Sequence, residues 1–231
     1  RLIIFFSLII SISLNLRKKL NKKNHTMHNK EIRNFLLLGT ILIMCFSYGI
    51  AESKMVDTIE ALSEKTIGEE NAKIKMKEFA SLTCGHCAKF HIEVMPIIKK
   101  KYIDTGLIHF TYKDFPLDKF ALKAAQIARC SGNKNYFNYL DVFYKKQKDW
   151  TRTKDPFKAL LKMAKFGGLK DEELKVCIGN KSIEDGILKD RLKSSKKFDI
   201  TATPTIYLDG EKYKGDLTIE ALESKIKSLL D

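Results

Sequence analysis

Beyond residue 51 the chain has no internal repeat and no low-complexity tract, which excludes a solenoid, a propeller or a repetitive array. It also lacks an apolar run of the ~20 residues that a membrane-spanning helix prefers; the longest, Phe35 to Ile50, is shorter. Cysteine is scarce, at five in 231 residues. Cys84, His86, Cys87 and His91 are too closely spaced for a usual zinc constellation, so no metal is expected. Basic residues outnumber acidic ones, giving a net charge of +14. Eight Lys/Arg and one Glu fall in residues 1–51, which leaves 34 basic against 27 acidic, or +7, for 52–231. These lysines are scattered rather than gathered into one stripe, the pattern of a solvated surface, and nucleic acid is not an expected partner.

The first 51 residues read as targeting and upstream sequence rather than fold. Met27 opens a short basic stretch with Lys30 and Arg33, then the apolar run, then Gly49-Ile50-Ala51 with small residues at −3 and −1. That is the pattern of a secretory signal peptide over 27–51, with cleavage after Ala51 and export to the periplasm. Residues 1–26 lie upstream of this start and are expected to be upstream sequence translated in error. Cys45 falls inside the apolar run, behind the bulky Met44, and is not expected to carry a lipid. Residues 52–65 are polar with scattered apolar positions and read as an N-terminal tail or a short helix.

Four cysteines remain beyond residue 51, an even number that in an exported protein favours disulfide chemistry over metal binding. Two of them, in Cys84-Gly85-His86-Cys87, follow the strand-like segment Lys73 to Phe79 and precede the helix-like segment Ala88 to Lys101. They therefore fall on the first turn of a helix. The first N–H groups of a helix are unpaired and partly positive, so a thiolate placed there is stabilised and can attack disulfides at neutral pH. Cys84 is the expected nucleophile and Cys87, one turn further in, its partner. His86 lies between them, where a donor or a cation would favour the Cys84 thiolate further.

The segment Glu78-Phe79-Ala80-Ser81-Leu82-Thr83-Cys84-Gly85-His86-Cys87-Ala88-Lys89-Phe90-His91, with Thr203-Pro204 later in the chain, resembles the active site of the DsbA-like thiol–disulfide oxidoreductases of the thioredoxin superfamily. The resemblance covers roughly residues 66 to 231. It implies a cis Thr203–Pro204 bond beside the Cys-x-x-Cys, with the Thr203 backbone offered to an extended peptide and its side chain tuning Cys84. It also implies that Glu78 lies buried under Cys87 and assists proton transfer; an exposed strand glutamate is the alternative. Lys113 is a loose candidate for its basic partner. His91 reads as a surface or packing residue. Cys-Gly-His-Cys departs from the Cys-Pro-His-Cys common in DsbA, which leaves the redox poise open, and Gly-His is the pair of protein disulfide isomerases.

The rest of the chain supports an α/β class, a thioredoxin fold with an inserted helical domain. Residues 66–116 form the first half of the core, with a second strand at Leu107 to Tyr112. Residues 117–198 read as successive helices. Residues 199–231 return to a strand at Thr203 to Leu208, a tight Asp209-Gly210 turn, a short return strand and a final helix capped by Thr218. The aromatics at 136–144 and Trp150 read as core. Cys130 and Cys177 both lie in the inserted domain; a structural disulfide between them is one reading and two buried free thiols the other.

The expected activity is dithiol oxidation: the Cys84–Cys87 disulfide is passed to reduced, unfolded exported proteins. A membrane reoxidant of the DsbB type is the expected partner. No cofactor is needed. No dimerisation segment is evident, so a monomer is expected. Isomerase or client-specific reductase activity is the alternative, and a non-catalytic binding module of the same fold is a third reading.

Overall fold

The computed structural model describes residues 57–231. The expected signal peptide at 27–51 and the upstream stretch at 1–26 lie outside these residues, as do the first five residues of the tail. A short helix, α1 (Thr58–Leu62), is capped by Asp57, whose carboxylate accepts from the Ile59 N–H. It leads into β1 (Lys65–Ile67). Of the two readings of 52–65, the short helix is the one found at Thr58–Leu62; the segment is corrected only at its end, where Lys65 already belongs to the sheet. Three residues are too few to display a period of two, which is why the strand was not read from sequence.

Next come β2 (Ile74–Ala80), α2 (Gly85–Glu93), α3 (Met95–Ile98) with a π-turn over Lys99–Ile103, and β3 (Ile108–Asp114). The helix expected after the cysteines, with Pro96 interrupting it, is broken at Val94. Pro96 has no N–H to continue the ladder and falls in the first turn of α3, where none is required. The insertion follows as α4 (Lys119–Cys130), α5 (Asn133–Lys145), α6 (Gln147–Thr151), α7 (Pro156–Phe166), α8 (Asp171–Gly179) and α9 (Lys181–Lys197). The chain closes with β4 (Thr205–Leu208), β5 (Glu211–Lys212) and α10 (Ile219–Leu230).

The strands form one sheet in the order β1-β3-β2-β4-β5. β2 and β3 run parallel, as a strand–helix–strand crossover requires; the other pairs are antiparallel. Asp209 and Gly210 both have positive φ, 48° and 85°, which suits the two-residue turn joining β4 to β5. This is a thioredoxin fold interrupted by a helical insertion. Among the described residues no helix is long and apolar enough to cross a membrane.

Alternation along β2 divides the interior. Ile74, Met76 and Ala80 join the main core with Phe110, Tyr112, Phe90, Tyr136, Phe143 and Trp150. Phe79 points the other way, into a smaller cluster with Phe115 and Tyr207. The aromatics of α5 and Trp150 are core residues; the Trp150 indole N–H donates to the Phe143 carbonyl at 2.9 Å. A third cluster, Ala61, Ala125, Ile183 and Ile187, surrounds Cys130 and Cys177, which are bonded with a Cα–Cα separation of 6.0 Å.

Candidate active site

β2 ends at Ala80, and four residues later the chain enters α2 with Cys84 as its N-cap. The turn between them is held in two ways. The Cys84 N–H donates to the Ser81 carbonyl at 3.0 Å. The buried Gln147 amide donates to the carbonyls of Leu82 and Cys84, at 2.8 and 2.9 Å. Gln147 was not singled out in the sequence. It lies in α6, and nothing local marks a glutamine as the clamp of a loop 63 positions earlier.

As N-cap, Cys84 places its sulfur where a Ser or Asp oxygen usually sits: Sγ accepts from the Cys87 N–H at 3.4 Å. The thiol, ordinarily near 9, is held at about 5. The largest cause is a hydrogen bond from the Cys87 side chain. Burial opposes it, and the Thr203 side chain and the backbone N–H groups of Cys87 and His86 add to it. The helix N-terminus supplies the setting for these donors. Cys87 is the opposite case. It is fully buried, and burial first, then its hydrogen bond to Cys84 and the charge on Glu78, push its thiol far above the ordinary value. Both cysteines are free thiols in the structure.

Thr203 and Pro204, joined by a cis peptide bond, face the pair from the loop before β4. The Thr203 carbonyl oxygen lies 3.2 Å from Cys84 Sγ and accepts from it when the sulfur is protonated. The buried Thr203 hydroxyl is without a hydrogen-bond partner and is free to favour the thiolate. His86 is exposed, and what reaches Cys84 from it is its backbone N–H.

Glu78 is fully buried on the face of β2 turned to the main core, so the exposed-glutamate alternative falls. Its partner is not Lys113, whose ammonium pairs with Asp190 at 3.1 Å and Glu64 at 3.5 Å. The partner is His91: Nε2 lies 2.9 Å from Glu78 Oε2, with both side chains at most 2% exposed. Of the surface-or-packing reading of His91, the surface half falls, and the packed ring has a polar partner besides. Its imidazole stacks on Tyr144 at 4.3 Å, and the Tyr144 and Tyr112 hydroxyls are 2.6 Å apart. The signal was in the sequence: His91 follows Cys87 by four, which puts both on one face of α2. Among the described residues no cluster of three or more His, Cys, Asp or Glu could hold a metal ion.

A family model described as Thioredoxin matches residues 60–228. The crystal structure of alpha-DsbA1 from Wolbachia pipientis superposes with a TM-score of 0.68 and 33% identity, over 72% of this chain and 90% of that one. This chain belongs to the DsbA-like branch of the thioredoxin superfamily. A Rickettsia conorii protein, provisionally named a protein-disulfide oxidoreductase, is 28% identical over 73% of this chain. Disulfide bond formation protein D of Bacillus subtilis is 24% identical over 71% of it and is matched over 78% of its own length. The chain spans only 61% of the length of the Rickettsia relative.

Proposed function

We propose that this DsbA-like chain is an exported thiol:disulfide oxidoreductase that introduces disulfides into reduced, unfolded secreted or periplasmic proteins through Cys84 and Cys87. The observation that carries the reading is the contrast between two thiols one helical turn apart, one held at about 5 and one pushed far above 9. A substrate thiolate attacks Cys84 Sγ in the oxidised pair. The Cys84–Cys87 bond breaks, its electron pair goes to the Cys87 sulfur, and that sulfur takes up a proton. A second substrate thiolate then attacks the substrate sulfur of the mixed disulfide, and Cys84 leaves as a thiolate. A stabilised thiolate is a good leaving group, so the reduced enzyme is favoured and the pair is oxidising.

Export rests on the basic, apolar and small-residue order of residues 27–51 and on the family. A membrane reoxidant of the DsbB type would restore the disulfide, and the chain would work as a monomer.

The test is to mix the oxidised protein with a reduced, unfolded client carrying two thiols and count free thiols with time. Stoichiometric loss of client thiols, lowered by about 10³-fold in Cys84→Ser, is the expected result. Reduction of an oxidised client, with no oxidation of a reduced one, would assign the chain to the client-specific reductases. Full function in Cys84→Ser would assign it to the binding modules.

A further inference from the structure

When the Cys84–Cys87 bond opens, the Cys87 sulfur is left deep in the protein with a new electron pair and needs one proton. Tyr144 of α5 faces it, with Tyr112 of β3 and Tyr136 of α5 beyond. All three are fully buried and held well above their ordinary range by that burial, so they keep their protons. Tyr112 and Tyr144 moreover hydrogen-bond each other. Cys84, one turn earlier on α2, is bonded to the incoming sulfur at that moment and has no proton to give. From β2 comes Glu78 and from one turn further along α2 comes His91.

These last two touch at 2.9 Å, and each has a second polar atom without a partner: Glu78 Oε1 and His91 Nδ1. Buried polar atoms are nearly always satisfied, so two orphans on one contacting pair call for an explanation. A lone carboxylate here would be an uncompensated buried charge. A carboxylate paired with an imidazolium is not, because the pair is neutral as a whole.

We propose that His91 is a positioning residue that lets Glu78 hold, and hand over, the proton exchanged with Cys87. With the disulfide closed, the pair carries one extra proton, as carboxylate and imidazolium, with Nε2–H donating to Oε2 and the second proton on Nδ1. As the Cys84–Cys87 bond breaks, Glu78 takes a proton from the imidazolium across the Oε2–Nε2 contact and, as the carboxylic acid so formed, gives one proton to the Cys87 sulfur; the pair ends as a carboxylate hydrogen-bonded by a neutral imidazole. One proton leaves the pair and one S–H bond forms, with no other reactant needed. On reoxidation the same proton returns. The inference rests on the exchange activity proposed above.

The test compares the oxidised wild type with His91→Gln and Glu78→Gln. Gln at 91 keeps an amide donor for Glu78 but cannot bind a proton. Reduction by glutathione is followed from pH 5 to 8.5, with rates corrected for the glutathione thiolate. Wild type is expected to show an inflexion that Glu78→Gln lacks. His91→Gln should displace that inflexion by at least a pH unit and slow the reaction about 10-fold at pH 7. In the wild type, with no substitution to disturb folding, the His91 ring nitrogen NMR shifts should differ between the oxidised and reduced protein as one proton is lost. A His91→Gln profile that superposes on the wild type, or ring shifts that do not change with redox state, overturns the role of His91. Failure of the wild type to react with glutathione at all would instead overturn the exchange reading.

Discussion

The molecule holds two cysteine pairs in contrasting surroundings. Cys84 and Cys87 sit at the mouth of α2, where helix N–H groups, the Thr203 loop and a buried acid act on sulfur chemistry. Cys130 and Cys177 are bonded inside an apolar cluster of the insertion, 47 residues apart in sequence. The first pair closes a loop of one helical turn and restrains little chain. The second ties α4 to α8 across a long loop, where cross-linking removes far more freedom from the unfolded chain. Surroundings and loop length, rather than the cysteines themselves, separate a pair built to exchange from a pair built to hold.

The largest test of that contrast is alkylation. In the reduced active-site pair, Cys84 should react with iodoacetamide with an inflexion near pH 5, while buried Cys87 stays unlabelled through pH 9; mass spectrometry of quenched samples reads both. Labelling of the two at comparable rates would erase the asymmetry. Next in size is the bridge. Replacing both Cys130 and Cys177 with Ala should lower stability by roughly 2–4 kcal/mol in urea unfolding while leaving the Cys84 inflexion in place.

The pH dependence of stability sharpens the contrast further. Cys84 titrates near 5 folded and near 9 unfolded, so between these values the unfolded reduced chain binds more protons and stability rises with pH. That contribution is lost as pH falls through 5. Cys87 is raised when folded, so its contribution is complete below 9 and lost as pH rises beyond it. The stability of the reduced form relative to the oxidised form should therefore climb from pH 5 to 9 and then fall. Paired thermal melts across that range check it, since the oxidised pair does not titrate. The smallest effect is expected at Gln147. Gln147→Leu removes two donors from the Leu82 and Cys84 carbonyls and should cost about 1–3 kcal/mol. It should also loosen the turn enough to move the Cys84 inflexion upward.

Much of this site could be read from the chain alone because its chemistry is local. Cys84, Cys87 and the start of α2 lie within four residues, and strand–turn–helix patterning marks the junction. The insertion was legible too, since each helix carries its own periodic apolar face and its own breaker, such as Gly167 after α7. What escaped were contacts between elements. The resemblance pointed to a buried Glu78 but not to its partner, His91 read as a surface or packing residue, and only the packing of α2 on β2 makes them a pair. Lys113 was nearer in kind to the expected basic partner, but it lies on the opposite face of β3 from Tyr112 and finds Asp190 instead. Lys65 likewise read as part of a polar tail. In the sheet its ammonium is buried, reaching the Glu60 carbonyl at 2.8 Å, and burial lowers it to about 8.

The central proposal is that the stabilised Cys84 thiolate makes this pair an oxidant. Its most direct test is the reduction potential of Cys84–Cys87 at equilibrium with glutathione. A potential well above the roughly −270 mV of thioredoxin, toward the roughly −120 mV of DsbA, is the expected result. A value at or below that of thioredoxin would mean that the pair gives electrons rather than takes them, and the oxidase reading would fall.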